Sequence, residues 1–176
     1  MGSILNITFF VSLFAGMIRL ATPILLPALG QIYTQRAGIL NLGVEGTMLM
    51  GAICGFIGAC VTQNLWFGFL CGILAGMIYS LIMAWLSITM RANQVIAGIG
   101  MNILASGLAS FIYRLIFGIR ALPAKITSFQ SLKIPVLGDI PYIGTIFFQH
   151  NILVYLTFIL VPITWFILER TTYGLK

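Results

Sequence analysis

Few side chains in this 176-residue sequence could do chemistry, and their spacing excludes most reactions. His150 is the single histidine, and Cys54, Cys60 and Cys71 lie in or beside apolar runs at spacings that make neither a CxxC pair nor a zinc set. We read the cysteines as small apolar packers and His150 as a wet side chain at a loop edge. No GxSxG elbow and no GxxxxGKS/T phosphate loop occurs, so no catalytic residue, no metal site and no ATP site is expected on this chain. What remains is a carboxylate among glycines. Glu45 follows Asn41 by four residues, with Gly38, Gly43 and Gly46 around them, in the segment Arg36-Ala-Gly-Ile-Leu-Asn-Leu-Gly-Val-Glu-Gly46. Such a backbone is irregular and permits close approach, and near a membrane it is tolerated only when buried in protein or lining a wet cavity. A plainer reading stands beside it: Asn41 is the N-cap of a helix, and Glu45 sits near the positive end of its dipole. The residues alone leave both open.

The elements that must hold these groups are set by composition. Residues are 60% hydrophobic and only 7% charged, against roughly 25% charged in soluble domains, and the mean hydropathy is +1.10. Too little polar surface remains to wrap a soluble globule, so the solvent is lipid. The fold class expected is all-α, a polytopic helical membrane protein of about five transmembrane spans, six if the first run is broken. The net charge of +6 comes from basic residues scattered singly between apolar runs. That pattern suits anionic lipid and not nucleic acid.

Ile4 to Ile32 is nearly continuous but carries Arg19, Pro23 and Pro27; it reads as a single tilted or kinked span that is kept, since no cleavage signal follows it. The polar break from Gln31 to Gly43 follows. Val44 to Val61 and Leu65 to Leu86 form a tight hairpin around Thr62-Gln63-Asn64, with Trp66 and Trp85 about 28 Å apart along the second helix, one for each interface. Gly51 with Gly55, and Gly68 with Gly72 and Gly76, give flat faces for close helix packing. After the polar loop Ser87 to Gln94, a fourth span runs from Val95 to Phe117 and carries Asn102. Residues 118–150 form a proline-punctuated connector holding Arg120, Lys125, Lys133 and Asp139, expected to lie at least partly outside the membrane. Ile152 to Leu168 is the last span. A cytoplasmic C-terminus places Arg36, Arg91, Arg170 and Lys176 inside and residues 118–150 on the extracytoplasmic side. Arg19 has three open roles: a pathway residue, a pair for Glu45, or, as we favour, an interfacial residue that snorkels.

RAGILNLGVEGTMLMGA resembles the ER-x-G-x-x-N-x-G-x-EG-x-M-x-x-GA signature of bacterial ABC importer permeases of the sugar, nucleoside and branched-chain amino acid class. MRANQVIAGIGMNILASGLASFIYR is similar to that family's R-A-D-Q-x-x-x-G-x-x-x-N-x-x-A-x-G segment, KIPVLGDIPYIGTIFF resembles its long outer loop, and ERTTYGL is like the E-R-T-x-x-G-L that ends its fifth span. The subgroup most like it is the nucleoside permeases that work with a basic membrane protein type lipoprotein. Gln35 and Asn93 stand where the family often has acidic residues. The resemblance covers residues 1–176 as the N-terminal part of a permease transmembrane domain. It implies a multi-pass subunit of an ATP-driven importer in the bacterial cell membrane, with nucleosides as the expected substrates and simple sugars or branched-chain amino acids as alternatives. It also implies a second permease subunit, an ABC ATPase subunit that binds the ATP and Mg, and an extracytoplasmic substrate-binding lipoprotein; this chain itself binds no cofactor. On that reading Asn41, Glu45 and Asn102 line or shape the substrate path. Asn102 alone is equally a candidate for an interhelical hydrogen bond. The competing class is a passive channel or a membrane scaffold built from the same helices.

Overall fold

The computed structural model describes residues 7–118, 131–133 and 143–171. The chain divides into two compact units, Gln31–Ser128 and the pair of segments Met1–Gly30 and Phe129–Lys176. Among the described residues, five helices are long and apolar enough to cross a membrane.

In the first unit, the segment after the first long helix is followed by α2 (Val44–Thr62) and α3 (Leu65–Ala84). The hairpin turn between them is two residues long because Gln63 adopts the left-handed conformation at φ 54° and Asn64 caps α3, its Oδ1 accepting from the Trp66 N–H at 3.0 Å. Expected and observed boundaries agree here to one residue. At the far end α3 does not stop at Leu86. It continues as a single π-helical turn, Trp85–Thr89, so the loop expected over Ser87 to Gln94 shrinks to 90–93. Ser87 carried the polar signal, yet it is buried inside that turn. The helix α4 (Gln94–Phe117) then starts on Asn93, whose Oδ1 accepts from the N–H groups of Val95 and Ile96. An uncharged carboxamide therefore does the capping at the position where the related pattern often has an acid.

The core of this unit is small. Tyr79 and Met83 of α3 meet Met101 and Ala105 of α4, and the Tyr79 hydroxyl donates to the Met101 carbonyl at 2.6 Å. Toward the hairpin turn, Phe56 of α2 packs on Tyr113 and Phe117 of α4, with ring centroids 5.6 to 6.3 Å from it. A wide apolar surface remains outside, including Trp66, Leu70, Ile78, Leu81 and Trp85, as a chain dissolved in lipid requires.

The second unit holds most of α1 (Ile7–Arg36) and the C-terminal elements. The expectation of a single first span stands against that of a broken one: α1 is one continuous helix of 30 residues with Pro23 and Pro27 inside it, about 45 Å long. It runs past Gln31, where a polar break was expected, because Gln31-Ile-Tyr-Thr-Gln-Arg contains no breaker and the first glycine beyond it is Gly38. Just ahead of Pro23, the Thr22 hydroxyl donates to the Ile18 carbonyl at 2.9 Å, a local back-bond to the preceding turn that satisfies the hydroxyl within the helix.

Of the connector 118–150, residues 119–130 and 134–142 lie outside the described residues, so the expectation of an outer loop is met there by no structural observation. Its described part is not unstructured. The strand β1 (Ser131–Lys133) pairs antiparallel with β2 (Gln149–Asn151), Leu132 opposite His150, and the short helix α5 (Ile143–Phe147) precedes β2. Among the described residues this ladder is the one β-sheet, and the long elements are all helices. His150, expected to be wet, is 1% exposed; its Nε2 lies 2.7 Å from the Ile146 carbonyl. A carbonyl only accepts, so Nε2 carries the proton, and the buried Nδ1 has no hydrogen-bond partner among the described residues. The last span, α6 (Ile152–Arg170), takes in Pro162 and reaches two residues beyond the expected end.

Candidate substrate-path site

Residues 37–43 form a bend that runs from α1 into α2, and the backbone of this bend and of the first turn of α2 is held mainly by carboxamides. Gly38, at φ +79°, turns the chain away from α1, and among the described residues a Cβ there would meet nothing within 4 Å. It is a turn residue, and the packing role expected for it is corrected accordingly. Gln31 of α1 donates from Nε2 to the Asn41 carbonyl at 2.9 Å, and Gln94 of α4 accepts from the Leu40 N–H at 2.7 Å. Asn41 folds back on its own loop, accepting from the Gly43 N–H at 2.9 Å. That bond makes an Asx-type turn and not a helix cap.

The N-cap of α2 is Gly43, which has no side chain to serve the first turn. Asn41, expected at that position, lies two residues too early, because the chain needs an extra turn before it can enter α2. Asn102 of α4 serves the first turn of α2 instead. Its Oδ1 accepts from the Gly46 N–H at 2.8 Å and its Nδ2 donates to the Leu42 carbonyl at 3.0 Å, across 56 and 60 residues of chain. The two glycines permit the approach. A Cβ on Gly46 would stand 3.0 Å from Asn102 Oδ1 and 3.1 Å from the Met101 carbonyl, and one on Gly98 of α4 would stand 2.8 Å from Leu42 Cβ. Gly43 faces the same stretch of α4, with Met101 Cβ at 3.5 Å from its built Cβ.

The structure therefore brings Asn41, Glu45 and Asn102 to one place, the start of α2 against the start of α4. Their environments differ. Glu45 is exposed on the first turn of α2, where the helix dipole favours a carboxylate, while Asn41 and Asn102 are half-buried with backbone partners. Arg19, on α1, is exposed. Gln31, Gln94, Gly98 and Tyr79 also hold this region, and sequence reasoning passed over all four. A glutamine at the edge of an apolar run was the available signal for the first two.

The close-packing glycines behave unequally. Built Cβ atoms on Gly51 and Gly72 would lie 3.2 and 3.0 Å from each other's carbonyl oxygens, and one on Gly55 would lie 3.1 Å from the Gly68 carbonyl. Gly68 is tightest, 2.6 Å from Ala59 Cβ and 2.7 Å from the Gly55 carbonyl. Gly76 does not share the contact: its nearest neighbour is the Thr47 carbonyl at 3.9 Å, because one turn beyond Gly72 the helices α2 and α3 have begun to part. Cys71 fills the notch over Gly58, with Cβ and Sγ each 3.1 Å from that glycine's built Cβ, as an apolar packer would.

The helices and this site define a multi-pass membrane chain with a polar, carboxamide-held bend at the start of one span. The family described as branched-chain amino acid transport system, permease component, matches residues 13–176, and the chain belongs to it. A guanosine ABC transporter permease of Bacillus subtilis is 41% identical over 172 residues, which is 89% of this chain and 51% of that protein. A provisionally named glucose ABC transporter permease of Haloferax volcanii is 39% identical over 173 residues, covering 96% of this chain and 51% of the relative. A nucleoside ABC transporter permease of Lactococcus lactis is 28% identical over 172 residues, 92% of this chain and 53% of its own length. The chain thus spans about half the length of the curated relatives it matches. No solved structure matches it.

Proposed function

We propose that this chain is part of the membrane-spanning permease of an ATP-driven importer whose substrate is a nucleoside. The family match over residues 13–176 carries the importer reading. Two relatives named for guanosine or nucleoside transport favour the substrate. The chemistry is compatible: a nucleoside is neutral, offers a hydrogen-bonding sugar and a planar base, and suits a path of carboxamides and apolar surface with few fixed charges. Asn41 and Glu45 are the groups we assign to that path. ATP and Mg belong to a partner ATPase, a second permease subunit completes the pathway, and an extracytoplasmic binding lipoprotein delivers substrate, with the assembly in the bacterial plasma membrane.

A sugar is the second reading, favoured by the relative from Haloferax volcanii. Uptake of labelled guanosine, glucose, ribose and leucine, measured in a strain whose only route is this importer in its complete form, separates the two. Saturable guanosine uptake is the expected result. Saturable sugar uptake without nucleoside uptake would reject the substrate, and conduction that needs no nucleotide would reject the importer in favour of a channel.

A further inference from the structure

The first turn of an α-helix leaves N–H groups without partners inside the helix, and a side chain at the N-cap normally takes one of them. At α2 the N-cap is Gly43, which has no side chain, and the acceptor at the third helical position comes from α4, where Asn102 Oδ1 lies 2.8 Å from the Gly46 nitrogen. The same amide reaches back with Nδ2 to the Leu42 carbonyl at 3.0 Å. Asn102 thus grips the bend on both sides of Glu45, including the peptide bond that directly follows it. Gln94, one helical segment earlier on α4, holds the Leu40 N–H at 2.7 Å. Both grips come from the N-terminal three turns of the same helix, and Gly98 between them lets the bend lie against α4 with no side chain of its own intervening.

We infer that Asn102 is a positioning residue of the permease: it caps α2 from another helix and so fixes the Glu45 carboxylate in register with α4, instead of contacting substrate itself. Gln94 holds the upstream end of the same bend. A displacement of α4 must then carry the start of α2 with it. The transport part of this inference rests on the permease reading; the structural part does not.

The test uses the complete importer in lipid nanodiscs and two readouts. Amide hydrogen exchange is followed without substrate in peptides covering 40–47 and, as an internal control, 65–84. Loss of one such hydrogen bond changes local opening by roughly 2- to 12-fold, so Asn102→Ala is expected to speed exchange at Gly46 within that range while leaving 65–84 unchanged. Asn102→Asp keeps an oxygen facing the Gly46 N–H and is expected to retain most of the protection. Uptake is then measured for Asn102→Ala, Glu45→Gln and the double variant. If Asn102 acts through Glu45, the double variant is no slower than the slower single one; independent roles would multiply the two losses. Unchanged exchange in Asn102→Ala, equal acceleration in 65–84, equal exchange in the Ala and Asp variants, or multiplying losses would each overturn the inference. Absence of uptake by the parent importer would instead refute the permease reading, and the exchange arm would still decide whether Asn102 caps α2.

Discussion

Gly68→Ala and Gly76→Ala place the same methyl group on the same helix, yet only the first should lower stability. At Gly68 the new Cβ would stand 2.6 Å from Ala59 Cβ and 2.7 Å from the Gly55 carbonyl, both on α2. Carbon atoms pack at about 3.5 to 4.0 Å, so α2 and α3 must separate by about 1 Å. Neither contact is the end of a flexible side chain, and separation also loosens the approach of Gly51 to Gly72. Overpacking of this kind costs about 1 to 3 kcal/mol, a factor of roughly 5 to 150 in the folding equilibrium. At Gly76 the nearest atom is 3.9 Å away, an ordinary contact, and alanine gains up to about 1 kcal/mol of helix propensity. Unfolding by added SDS in mixed micelles, followed by tryptophan fluorescence, should show an earlier midpoint for Gly68→Ala and an unchanged or later one for Gly76→Ala. Equal shifts in the two variants would show that the separation of α2 and α3 is not set by these glycines.

Two further outcomes follow from the site. Glu45→Gln and Asn41→Ala each remove a helix-start or turn contact worth only about 0.5 to 2 kcal/mol, so both should insert at parental levels while uptake by the complete importer falls; normal uptake at normal expression would make these residues structural. Tyr79→Phe removes the 2.6 Å bond to the Met101 carbonyl and should cost about 0.5 to 1.5 kcal/mol in the same SDS titration, whereas an unchanged midpoint would mean that this hydroxyl adds nothing to the α3 contact with α4.

The helices were readable because their cause is local. A run of 18 or more apolar residues that ends before Gln63-Asn64 or begins after Asn93 needs no knowledge of the rest of the chain to be placed as a span. Their ends were misread where polarity and helix-breaking part company. Gln31 to Arg36 is polar yet contains no glycine or proline, so α1 runs on through it; Ser87 is polar yet buried in a π-helical turn. The site was legible as a cluster but not as a set of bonds. Glycines around Asn41 and Glu45 announced close backbone approach, but not which helix approaches. That information resides in partners 54 to 60 residues apart, Leu40 with Gln94 and Leu42 with Asn102, and no periodicity within either segment encodes it. His150 was misjudged for the same reason, since the strand that carries it pairs with Ser131–Lys133, a contact that no local pattern announces.

A helix whose cap is donated by another helix also has an order of birth. The α2 and α3 pair is joined by two residues and meets through its own glycines, so it can close as soon as both have left the ribosome. The Gly46 N–H, by contrast, must wait for a residue made 56 positions later, roughly 3 to 11 s at about 5 to 20 residues per second. During that interval the start of α2 has no protein acceptor for this group and must borrow one from water at the membrane surface. Docking of α4 ends the loan, and the bend bearing Asn41, together with the first turn of α2 that bears Glu45, sets only then.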